Sequence, residues 1–161
     1  MLASCSLNGR TGHEAGRALL AQLYGEAAGQ PLPPIEVGAW GKPAFVDSDW
    51  HFSISHTKNH AFCALARENV AIDAEELSRR VNLSLAEKIL SPTEKAQFDA
   101  ADDKNRALLT FWVLKEGAAK LSGRGLRDYP NGTAFSLDDP RVREMDGCLV
   151  AILTEGEAYA V

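Results

Sequence analysis

Residues 104–121 constrain the fold of this chain more than any other stretch. Leu108-Leu109-Thr110-Phe111-Trp112-Val113-Leu114 is strongly apolar, and Ala118, Ala119 and Leu121 continue the run. A helix from about Lys104 to Leu121 is predicted, with Gly123 as its stop. Lys115 and Glu116 interrupt the apolar run, and charges in such a segment face a cleft or pair with another group. Trp112, Glu116 and Lys120 fall at i, i+4 and i+8, which stacks them on one face.

Strand signals fill the middle of the chain: His51–Ser55, His60–Ala66 and Asn69–Glu75, broken at Thr57–Asn59 and Arg67–Glu68. A first strand is expected at Leu2–Leu7. Thr11-Gly12-His13-Glu14 is a capping box that opens a helix with Leu19, Leu20, Leu23 and Tyr24 on its apolar side, ended by Gly29 and Pro31. Ser91-Pro92-Thr93-Glu94 is a second helix start, with Pro92 at the first helical position. Gly41-Lys42-Pro43 reads as a turn. Strands are expected again at Thr133–Leu137, Cys148–Leu153 and Glu157–Val161. Helices and strands without regular alternation indicate an α+β fold, and 161 residues suit one domain.

A net charge of −5 offers no basic footprint for nucleic acid, and no apolar run is long enough to span a bilayer. Cys5, Cys63 and Cys148 form no CxxC pair, so they read as thiols in a reducing cytosol. A phosphorylated ligand would have to be held by local Arg, Lys and His against the global field.

Asp73 and Glu75 follow Val70-Ala71-Ile72, so both carboxylates project from one face of a strand end. Two such anions repel unless a cation joins them, and hard oxygen ligands suit Mg²⁺, with Mn²⁺ as an alternative. The plainer reading of Asp73-Ala74-Glu75-Glu76 is a solvated strand exit. Glu116 and Lys120 likewise read either as a surface ion pair one turn apart or as a third carboxylate and a lysine for a leaving phosphate. Phe52-Ser53-Ile54-Ser55-His56-Thr57 ends a strand with hydroxyls and an imidazole, which suits either a phosphate grip or a polar turn. Ser55 and His56 point apart on a strand, which counts against a hydrolase dyad.

Four segments in order resemble the Sfp-type 4'-phosphopantetheinyl transferases. They are Gly41-Lys42-Pro43; Phe52-Ser53-Ile54-Ser55-His56-Thr57; Val70-Ala71-Ile72-Asp73-Ala74-Glu75; and Trp112-Val113-Leu114-Lys115-Glu116-Gly117-Ala118-Ala119-Lys120, with Leu121-Ser122-Gly123-Arg124-Gly125-Leu126 as a glycine-rich exit. His13–Leu20 is similar to the family's first helix. The resemblance implies two similar α+β halves, about 1–70 and 71–161, with the active site between them. It implies transfer of phosphopantetheine from coenzyme A to a serine of an apo acyl or peptidyl carrier protein, releasing 3',5'-ADP. It assigns Asp73, Glu75 and Glu116 to Mg²⁺, Glu116 to the base role and Lys120 to the departing phosphate. Arg17, Lys42, Pro43, Ser55 and His56, together with Arg10, would hold the nucleotide end of coenzyme A. A cytoplasmic monomer is expected. Ala71, Ala74 and Ser53 depart from the family's glycine, bulkier residue and asparagine.

Two rivals remain from chemistry alone. A Mg²⁺-dependent nuclease or phosphodiesterase would use the same acids and lysine, although the acidic net charge opposes it. A silent module binding coenzyme A or a carrier would not need Glu116 and Lys120. Arg79, Arg80 and Lys88 could meet an acidic carrier helix or simply form a solvated face.

Overall fold

A computed structural model describes residues 1–38, 41–123 and 134–156. The expected strand at 157–161, Thr133 and the exit residues Arg124-Gly125-Leu126 lie outside them. The elements run β1 (Leu2–Ser6), α1 (Gly12–Ala28), β2 (Ile35–Val37), β3 (Pro43–Phe45), β4 (His51–His56), β5 (His60–Ala66), β6 (Val70–Glu76), a 3-10 turn at Leu83–Leu85, α2 (Ala86–Ile89), α3 (Pro92–Ala100), α4 (Lys104–Ser122), β7 (Val142–Met145) and β8 (Cys148–Thr154). The fold is α+β. No helix among the described residues is long and apolar enough to cross a membrane.

Two three-stranded antiparallel sheets share one plan. The first has the order β1-β5-β4 and the second β6-β8-β7. In each, a strand leads into a long helix, two strands follow, and the last inserts beside the first. Helix α1 covers the first sheet and α4 the second. Strand β5 divides its side chains by alternation: Ala61, Cys63 and Leu65 face α1, while Phe62 and Ala64 face a core shared with Val70, Ile72 and Ala74 of β6 and Cys148 and Val150 of β8. That shared core joins the two sheets.

The helices begin and end where their local chemistry dictates. Thr11 and Ser91 accept from the amides of Glu14 and Glu94, whose carboxylates return to the cap amides. Gly29 and Gly123 close α1 and α4 at φ +66° and +68°, a conformation that favours glycine. Helix α4 buries Leu108, Leu109, Phe111, Val113 and Leu114 almost completely. Burial contributes about 1.5–3 kcal/mol for a large apolar side chain, against helix propensities of at most about 0.7 kcal/mol per ordinary residue. Packing therefore decides where α4 lies. Gly117 lets it approach β8, since a Cβ there would stand 2.6 Å from Leu153 Cδ1.

Two expectations need correction. The described residues 134–137 are not a strand. Their backbone groups bond side chains of α3 instead: Phe135 N–H donates to Glu94 Oε1 at 3.0 Å, Leu137 N–H donates to Gln97 Oε1 at 3.0 Å, and Gln97 Nε2 donates to Phe135 O at 3.2 Å. The sequence reading also omitted β7 and the short pair β2–β3. Asp146-Gly147, at φ +51° and +73°, joins β7 to β8 as a hairpin turn, and Asp-Gly is the signal that would have revealed it.

Candidate active site between the two sheets

Strand β6 sends Val70, Ile72 and Ala74 into the shared core. Alternation turns Ala71, Asp73 and Glu75 the other way, and Ala71 joins the core under α4. Helix α4 runs antiparallel to β6. Asn105 binds Val81 N–H and Arg79 O near its start, Lys120 reaches Ile72 O, and Leu121 O accepts from Asn69 Nδ2 at its end. The i, i+4 spacing of Glu116 and Lys120 therefore lies along the i, i+2 spacing of Asp73 and Glu75.

Lys120 Nζ donates to Asp73 Oδ1 at 2.6 Å and to Ile72 O at 3.2 Å. Burial pushes the Asp73 carboxyl above its ordinary range, although the Lys120 charge and hydrogen bond and the Ser55 hydroxyl pull the other way. Glu116 is half-buried, and its carboxyl is raised first by desolvation, then by the charge of Asp73 and more weakly by Glu75, against Lys120. Glu116 lies one helical turn before Lys120 on the same side of α4, which brings it toward the β6 carboxylates. Glu75 is paired with Arg79 one turn of chain further on, so Arg79 is engaged within the site's margin. Among the described residues, no group of three or more His, Cys, Asp or Glu side chains is gathered closely enough to hold a metal ion as it stands.

Ser55 and His56 part as alternation requires. Ser55 faces β6, where its hydroxyl meets Asp73, Ala74 N–H and Lys120. His56 lies on the other face, with its ring against the first residue of α1. A Cβ on Gly12 would stand 2.3 Å from His56 Cγ, and one on Gly16 would stand 2.4 Å from Ile54 Cγ2. Arg10 lies at this same end of the first sheet and folds back onto Ser6 O and Leu7 O, while Arg17 is partly buried on α1. Lys42, just before Pro43, donates to Asn69 Oδ1 at 2.5 Å and Leu121 O at 3.3 Å, at the end of α4. Burial lowers the Lys42 ammonium from its ordinary value, partly offset by Glu155. The structure thus brings Asp73, Lys120 and Ser55 into contact, with Glu75 further along the same face of β6, Glu116 one turn earlier on α4 and Lys42 beyond the start of β6. Arg10 and His56 form a separate group at the α1 end.

Sequence reasoning missed what holds this arrangement. Lys115 Nζ lies 2.8 Å from Glu94 Oε2, with side chains 5% and 0% exposed. Their separation of 21 residues leaves no local signal beyond the oddity of a lysine in an apolar run.

The raised carboxyls have a stability consequence. A folded state that binds a proton more tightly than the unfolded chain loses stability as pH rises from the unfolded to the folded pKa, and the loss persists above it. Glu116→Gln without added metal should therefore melt above wild type at neutral pH. The gap should shrink as pH falls from the raised Glu116 value toward the ordinary carboxylate value and vanish below that. Thermal melts of both proteins from acid to neutral pH test this, and a gap independent of pH would contradict it.

The fold and site define an α+β protein with carboxylates and a lysine gathered between two sheets of like order. Residues 69–157 match the model of the 4'-phosphopantetheinyl transferase superfamily, and the chain belongs to that family. It is 34% identical over 89 residues to the 4'-phosphopantetheinyl transferase gsp of Aneurinibacillus migulanus, covering 54% of this chain and 37% of that protein. AcpT, a 4'-phosphopantetheinyl transferase of Escherichia coli K12, is 34% identical over 68% of this chain and 56% of its own length. HetI of Nostoc sp., of the same description, is 30% identical over 70% and 52%. The chain thus spans from about a third to just over half of these relatives' length.

Proposed function

We propose that this chain transfers 4'-phosphopantetheine from coenzyme A to a serine of an apo acyl or peptidyl carrier protein, in a Mg²⁺-dependent reaction. The observation that carries the reading is Lys120 on Asp73, with Glu116 one helical turn before Lys120 and Glu75 two residues after Asp73, all inside the span matched to the family. The residues fit Mg²⁺: Asp73, Glu75 and Glu116 are hard oxygen donors, and Asp73 Oδ1 already accepts a cationic group, the Lys120 ammonium, at 2.6 Å. When bound by these three side chains, Mg²⁺ supplies charge neutralisation at a pyrophosphate.

The chain's own groups do the rest. Glu116 takes the proton of the carrier serine hydroxyl, and its raised pKa brings it closer to the working pH of a general base. The serine oxygen forms a bond to the phosphorus bearing pantetheine as the pyrophosphate P–O bond breaks, and 3',5'-ADP leaves. Lys120 stabilises the charge that develops on that leaving phosphate. Lys42, beside Pro43, the Arg10 and His56 group, and Arg17 on α1 are assigned to the nucleotide end. The nucleophile comes from the partner. On this reading the protein acts as a cytoplasmic monomer on coenzyme A and a carrier, with no nucleic acid or membrane involved.

Incubation with coenzyme A, Mg²⁺ and an apo carrier should add the phosphopantetheine mass to the carrier serine. Several apo carriers left unmodified, with DNA or RNA cut instead, would refute the proposal in favour of a nuclease.

A further inference from the structure

We propose that Ser55 is a positioning residue that aims the Asp73 carboxylate and so sets the site's affinity for a divalent cation. This is a different role from contacting a phosphate of the nucleotide. The inference rests on the reading of Asp73 as a metal ligand. Ser55 is buried on β4, and its hydroxyl has one proton to donate and two lone pairs to fill. The proton goes to Asp73 Oδ1 at 3.1 Å. The lone pairs accept from Ala74 N–H at 3.2 Å and from Lys120 Nζ at 3.3 Å. One side chain of the first sheet therefore holds the carboxylate, the backbone immediately after it and the lysine that pairs with it. A phosphate oxygen would need a donor, and the only proton Ser55 has already lies on Asp73.

Ser53 supplies the internal control. It is buried two residues earlier on the same strand, and its hydroxyl accepts from Ile72 N–H at 3.1 Å. Ser53 and Ser55 thus bridge β4 to alternate amides of β6, but only Ser55 also grips Asp73. Loss of either hydroxyl removes one bridge between the sheets, whereas loss of Ser55 alone frees the carboxylate.

The probe is Mn²⁺, titrated against the metal-free protein with free ion followed by electron paramagnetic resonance. Ser55→Ala should weaken Mn²⁺ binding about 10–100-fold, the range for partners that orient metal ligands. The Mg²⁺ concentration giving half-maximal transfer should rise in step, while the KM for coenzyme A stays as in wild type. Ser55→Thr, which keeps the hydroxyl, should restore Mn²⁺ affinity. Ser53→Ala should lose thermal stability yet bind Mn²⁺ like wild type. The inference is overturned if Ser55→Ala binds Mn²⁺ normally and raises the KM for coenzyme A, or if Ser53→Ala weakens Mn²⁺ equally. It also falls if the wild-type protein binds no Mn²⁺. Should the Mn²⁺ results come out as expected while no carrier is modified, the role of Ser55 stands and the transfer reading fails.

Discussion

Lys115→Met, with Glu94 left in place, should destabilise the protein by about 3–5 kcal/mol, because it strands a buried carboxylate without its cation. Methionine nearly matches the length of lysine, so the loss reports charge rather than cavity. The Glu94 carboxylate also accepts from Ser91 N–H at 2.8 Å and Phe135 N–H at 3.0 Å, which ties together the start of α3, the middle of α4 and the segment after it. That third tie makes the double variant informative. Replacing a whole buried ion pair by apolar residues is often neutral. Here Glu94→Met/Lys115→Met would still leave two backbone donors without their acceptor, at about 1–3 kcal/mol for each that stays buried. Urea denaturation of wild type, single and double variants should show the double variant recovering only part of the loss. A single variant within about 1 kcal/mol of wild type would mean that the pair contributes only as much as an exposed one.

The second large effect concerns rate. Glu116→Gln should lower the turnover of carrier modification by about 10²–10⁴-fold, the usual contribution of a positioned base. Coenzyme A should still bind, since its nucleotide end is assigned to other residues. The same variant is the one expected to melt higher at neutral pH, so activity and stability should move in opposite directions at this position. Mass-spectrometric rates at saturating Mg²⁺ and coenzyme A, alongside binding measured separately, test the pair of outcomes. Turnover within a few-fold of wild type would remove Glu116 from the base role.

What the sequence disclosed follows the range of the forces involved. Both capping boxes and the glycine stops at Gly29 and Gly123 were legible because each is set by residues within one turn. Strands β4, β5 and β6 were legible from apolar runs with clear breaks. Strand β7, Val142-Arg143-Glu144-Met145, escaped because an exposed edge strand carries little apolar pattern. Residues 135–137 misled because Phe-Ser-Leu alternates like a strand, while the acceptors and donors that satisfy them are side chains of Glu94 and Gln97. In the site, spacings of two on a strand and four on a helix pointed to Asp73, Glu75, Glu116 and Lys120, and of these Asp73 and Lys120 are in direct contact. Neither the Ser55 contact, which spans 18 residues, nor the Lys115–Glu94 pair has a local signature.

Lys115 and Glu116 are neighbours in the chain, and one residue turns an α-helix by about 100°. Here Lys115 points into the packed interior, while Glu116 is only half-buried. Apolar packing alone sets the azimuth of a helix loosely, since Leu, Phe and Val on adjacent rows can exchange places at modest cost. A lysine paired with a buried carboxylate cannot. The pair therefore works as an index pin for α4: it fixes the helix's rotation about its own axis, and with it the direction in which the next residue presents its acid.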